Sequence, residues 1–128
     1  MDRKLGIEIG RRYDLPVLTG TEKQIAYADD LRRYYLGNLS NEVNETIRCF
    51  EQGLKEQPEA CEAMIASGFV SAKTVDELTV QSCWEYAWAN DKAMMASGSP
   101  KDYGYDDWNY MSMIFCETSA AKIIEALK

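Results

Sequence analysis

Along most of this chain apolar residues recur at intervals of three and four, the period of a helix with one buried face. The clearest stripe is Val43, Ile47, Phe50 and Leu54, which predicts a helix capped by Ser40 or Asn41. A second stripe, Ile25, Ala28, Leu31 and Tyr35, follows Thr21 and Gln24. Those two residues form a capping box that satisfies two backbone donors at a helix start, and Gly37 offers a left-handed stop. Pro58 either opens a short helix or kinks a long one, and Gly68 ends that piece. Thr74 with Glu77 predicts another capped start, leading through Val75, Leu78, Cys83, Trp84, Tyr86 and Trp88 to Met94 and Met95. That helix is apolar on several faces, so it is expected at the centre.

Ser97-Gly98-Ser99-Pro100 breaks the chain, and a last helix is predicted to carry Trp108, Met111, Phe115, Ser119 and Ile123. Only Leu5, Ile7 and Ile9 alternate as a strand does, and no second strand is in sight to pair with them. The expected fold is therefore all-α: a single compact bundle of four to five helices over residues 21–128, preceded by an extended arm and turn over residues 1–20.

Composition narrows the chemistry more than the fold. The chain of 128 residues is 46% hydrophobic, enough for a core without metals or disulfides. No apolar run is long enough to cross a membrane, and Met1-Asp2-Arg3-Lys4 leads into no signal-peptide core, so a cytoplasmic location is expected. The four cysteines, Cys49, Cys61, Cys83 and Cys116, make no Cys-x-x-Cys pair, so they read as reduced, partly buried apolar residues. Histidine is absent. That removes Ser-His-Asp and Cys-His catalysis, His-dependent zinc hydrolysis and Glu-x-x-His di-iron sites together. No cofactor is expected.

Charge is divided unevenly. Residues 1–36 hold seven Lys/Arg and six Asp/Glu, a net of +1, whereas residues 37–128 hold seven and fifteen, a net of −8. Such a balance disfavours duplex DNA and anionic membranes as partners. Carboxylates are the plentiful chemical group. Glu42 with Glu45 and Glu59 with Glu62 each place two acids on one helical face, a set that could hold a magnesium ion and phosphates. The arrangement resembles the all-α nucleoside triphosphate pyrophosphohydrolases, with Asn41 and Glu62 departing from that family's pattern; solvated faces rich in Glu are the commoner reading. Arg11-Arg12 and Arg32-Arg33 beside Tyr13, Tyr34 and Tyr35 could bind single-stranded nucleic acid. Asp14, Asp29 and Asp30 lie close by in sequence, and ion pairs with them are the simpler account. The six methionines read as core filling. The run Asp102 to Tyr110 sets Tyr103, Tyr105, Trp108 and Tyr110 among Asp102, Asp106 and Asp107. Aromatic and acidic residues on a loop are favoured for partner binding, although Trp108 could equally cap the core and an aspartate the last helix.

The segment from Leu15 to Arg32 resembles a signature of small proteins from bacteriophages and mobile elements, L-P-x-L-T-G-[ST]-x-K-Q-x-x-[WY]-A-x-x-[IL]-R. Ala121-Lys122-Ile123-Ile124-Glu125 is similar to a later segment of such proteins, without its tryptophan. The family has no agreed activity, so the likeness implies a source in a bacterial host and not a reaction. With the acidic balance it points to a non-enzymatic accessory protein that binds a protein partner, as inhibitors of host defence nucleases such as anti-CRISPR proteins do. The binding residues expected on this reading are Tyr103, Tyr105, Asp106, Asp107, Trp108 and Tyr110. A Mg-dependent pyrophosphohydrolase and a single-stranded nucleic-acid binder are the alternatives.

Overall fold

The structure, a computed structural model, describes residues 3–97 and 107–128. Within them the chain is helical, with no strand and seven α-helices where four or five were expected. These are α1 (Arg3–Gly10), α2 (Glu22–Asn38), α3 (Ser40–Glu56), α4 (Pro58–Ser67), α5 (Val80–Ser97), α6 (Asp107–Cys116) and α7 (Ala120–Leu127). The chain forms two compact units, Met1–Asn44 with Ile114–Lys128 and Glu45–Met113.

In the first unit, the expected extended arm is replaced over residues 3–10 by helix α1. Its reason is glycine spacing. Gly6 and Gly10, one turn apart, are both buried, and a β-carbon on Gly10 would collide with the Arg33 carbonyl of α2. Two helices approach this closely only where side chains are missing, and the contact outweighs the weak alternation of Leu5, Ile7 and Ile9. Leu5 stays exposed. Gly37 serves the same contact from the other side, so it lies inside α2 and does not end it. The helix runs to Asn38 and closes on a bond from the Leu39 amide to the Tyr35 carbonyl, 3.2 Å.

The start of α2 is as the sequence predicts. Thr21 Oγ1 accepts from the Gln24 amide and Gln24 Oε1 accepts from the Thr21 amide, both at 3.1 Å. Just upstream, the chain is extended and pairs with the junction between α6 and α7. The Thr19 amide donates to the Thr118 carbonyl at 2.7 Å, and the Ala120 amide donates to the Thr19 carbonyl at 3.0 Å. Gly20, at φ 141°, makes the turn that follows, a conformation side chains resist. Leu18 is thereby buried with Ala28, Ala120 and Ile123, under Ile25, Ile124 and Leu127. The single last helix expected from the sequence is thus two. Glu117 accepts from the amides of Thr118 and Ser119, and Ser119 caps α7 through the Lys122 amide.

In the second unit, Pro58 opens α4 at its first turn and Gly68, at φ 74°, closes it. Phe50 and Leu54 pack on a cluster of Met64, Val70 and Cys83, and Phe50 meets the buried Trp84 edge-on with ring centres 4.9 Å apart. The capped start expected at Thr74 is a short 3-10 turn, Val75–Glu77, where Thr74 makes no cap bond to the backbone. Helix α5 begins after Thr79 instead. Thr79 Oγ1 accepts from the Ser82 amide and Ser82 Oγ from the Thr79 amide, at 3.3 and 3.1 Å. The shift leaves Leu78 extended, where it packs on the cluster of Met64 and Cys83.

Candidate functional site

An apolar pocket of about 350 Å³ opens in the second unit between α3, α4 and α5. Helix α3 contributes Cys49, Phe50, Gly53 and Leu54, of which Phe50 and Leu54 belong to the stripe the sequence marks as buried. That stripe is only half-buried at Phe50 and Leu54, because part of it faces this opening. Gly53 borders the opening, and a β-carbon there would meet nothing within 4 Å. Helix α4 adds Cys61 and Met64 to the wall, both buried. Helix α5 brings Cys83, Tyr86 and Ala87, and then the polar pair Asn90 and Asp91.

The electrostatics of the lining are simple. Burial pushes the Cys83 thiol up to about 11, with the neighbouring Cys61 adding to the shift, so it stays protonated at neutral pH. Cys61 Sγ lies 3.8 Å from the Leu54 carbonyl. Asp91 is the carboxylate among the described lining residues, and its Oδ2 accepts from the hydroxyl of the fully buried Ser112 at 3.0 Å. Among the described residues the pocket can therefore hold an apolar group beside one negative charge, and it presents neither Lys nor Arg.

The residues singled out from the sequence fall elsewhere. Tyr103, Tyr105 and Asp106 lie outside the described residues, as do the side chains of Asp107 and Trp108; Tyr110 is half-buried in α6. Glu42, Glu45, Glu59 and Glu62 are all exposed, and Glu45 is taken up by Arg48. Among the described residues no group of three or more acidic or thiol side chains is gathered as a metal would need. Met111 and Met113 fill the core as expected, whereas Met94 is 51% exposed.

The arginine–tyrosine set is tied inward. Asp29 Oδ1 accepts from Arg32 Nε at 3.1 Å and from Arg33 Nε at 2.8 Å. Arg32, only 4% exposed, also donates to the Pro16 carbonyl at 2.8 Å, and Arg33 donates to the Gly10 carbonyl at 3.1 Å. Tyr13 donates to Asn44 Oδ1 at 2.7 Å and stacks edge-on against Phe115. A shallow depression of about 770 Å³ lined by Arg3, Lys4 and Arg11 is balanced by Glu8 and Asp30. Arg11 lies 3.9 Å from Asp30, and Arg3 sits over the Tyr34 ring.

These contacts also give the Leu15–Arg32 segment a physical meaning. Its second and last residues are joined by the Arg32–Pro16 bond, its middle holds the capping box, and Leu18 enters the core. The segment is a self-closing piece of scaffold. The pocket was missed in the sequence because its cysteines read as ordinary buried residues and its walls come from three helices. Comparison of the chain with protein-family models, curated proteins and solved structures finds no match.

Proposed function

We propose that this chain is a non-enzymatic accessory protein of a phage or mobile element that works by docking an acidic helical surface onto a basic protein partner. The observation that carries the reading is the surface of α3 and α4. From residue 45 to 62, Glu45, Glu51, Glu56, Glu59 and Glu62 are all exposed, against Arg48, which pairs with Glu45, and Lys55. Arg32 and Arg33, by contrast, spend their charge on Asp29 and on backbone carbonyls. Clustered carboxylates suit a surface built to hold phosphates, such as the nucleic-acid channel of a host defence nuclease, and they speed encounter with it. The acidic and aromatic residues Tyr103, Tyr105, Asp106, Asp107, Trp108 and Tyr110 belong to the same reading as further binding determinants.

The test is capture from host lysate on immobilised protein, followed by titration of the purified partner against the parent and a variant with Glu51, Glu56, Glu59 and Glu62 changed to Lys. The parent should bind, more weakly as salt rises, and the variant should not. Equal binding by both sinks the reading. Release of monophosphate and pyrophosphate from nucleoside triphosphates with Mg²⁺, lost in Glu45→Gln, would replace it with the pyrophosphohydrolase. Salt-sensitive retention of single-stranded oligonucleotides would replace it with the nucleic-acid binder.

A further inference from the structure

We propose that the pocket between α3, α4 and α5 receives one apolar side chain that the partner carries beside a lysine or arginine. The inference rests on the reading of the chain as an acidic docking protein and names the chemistry the partner must present. Size comes first. At about 350 Å³ the pocket sits at the low end of what small-molecule sites enclose, enough for a bulky side chain and its near surroundings. Gly53 lines it, and a β-carbon there would stand in open space.

Charge selects the neighbour of that side chain. Asp91 in the wall accepts from the Ser112 hydroxyl, and no Lys or Arg among the described residues shares the lining, so a cation beside the apolar group is attracted and an anion is repelled. The thiol of Cys83 adds no charge at neutral pH.

Extent favours a partner segment over a free small molecule. Met94, one turn beyond Asn90 along α5, is exposed. Phe69 is exposed as well, and its ring centre lies 6.0 Å from that of Tyr86 in the pocket wall. The apolar surface thus continues past the cavity on two sides, as a partner's chain would use and a compact ligand would not.

Three probes sharing a naphthalene body test this: naphthylethylamine, naphthylethanol and naphthylacetate, titrated by NMR. The amine should bind tightest and the acid weakest, with about tenfold between them, as expected of two partly screened charge interactions of opposite sign. Gly53→Leu adds a side chain at the pocket lining, where a β-carbon has open space, and should weaken binding of all three while the protein melts no lower. Asp91→Asn keeps an acceptor for Ser112 and should make amine and alcohol equal. A blocked Lys-Trp-Lys peptide should displace the amine. The proposal is overturned if no probe binds, if the acid matches the amine, if Gly53→Leu binds undiminished, or if the peptide fails to compete. Failure of the acidic docking itself is read separately, from the Lys-substituted α3–α4 variant, whose pocket wall is unchanged.

Discussion

Gly37 in α2 lies backbone to backbone against Gly6 in α1: a β-carbon added at Gly37 would fall on the Gly6 carbonyl group. No side chain is there to move aside, so the helices themselves must separate. Gly37→Ala should therefore destabilise the protein by about 1–3 kcal/mol in urea unfolding, even after the gain of about 1 kcal/mol in helix propensity is counted. Gly53→Ala is the control. Its β-carbon enters open space, and stability should rise by about 0.5–1 kcal/mol. Equal and opposite shifts reversed between the two sites would show that the α1–α2 contact is not tight.

The caps predict an order among three threonines. Thr21→Ala and Thr79→Ala each remove a side-chain acceptor from a helix-start amide and should cost about 1 kcal/mol. Thr74 donates to the Glu77 carboxylate on the surface and caps no amide, so Thr74→Ala should lower the melting temperature far less. Matching losses at Thr74 and Thr79 would place the start of α5 earlier than it is described.

Asp29 holds two arginines, one of them nearly fully buried. Asp29→Asn leaves the Arg32 guanidinium in place with its counter-charge gone, and should cost about 1–3 kcal/mol. Glu45→Gln breaks the Arg48 pair, which is exposed on both sides, and should leave the melting temperature unchanged. A flat response at Asp29 would mean that the Pro16 and Gly10 carbonyls alone suffice to hold the two arginines.

Cys83 gives the protein an alkaline limit. Its thiol is raised from an ordinary 9.0 to about 11 in the fold. Below pH 9 the folded and unfolded thiols are both protonated and nothing is lost. Between pH 9 and about 11 the unfolded chain ionises while the folded one resists, so stability falls as pH rises through that window. Melting curves should show a steeper decline for the parent than for Cys83→Ala. At neutral pH iodoacetamide should label the exposed Cys49 well before Cys83.

The helical period, the Thr21 cap and the stop at Gly68 were readable from the sequence, because each depends on residues within a turn of one another, whereas Pro58 could equally have opened a helix or kinked one. Gly6, Gly10 and Gly37 were not readable, since what their missing side chains admit is another helix, Arg33 being 23 residues from Gly10 and Gly37 being 31 from Gly6. Thr74 and Thr79 both start a hydroxyl-x-x-acceptor pattern. What decides between them is the burial of Leu78 against Met64 and Cys83, which is a tertiary fact. The pocket belongs to the same class, since its walls come from three helices.

The bond from Thr19 to Thr118 spans 99 residues, and it orders events on the ribosome. The unit from Glu45 to Met113 is one continuous stretch and has all its parts once that stretch has emerged. The unit begun by α1 and α2 does not. Leu18 and Ala28 leave the exit tunnel before Ala120 and Ile123 can cover them, so these two residues become dry only when the far end of their unit arrives.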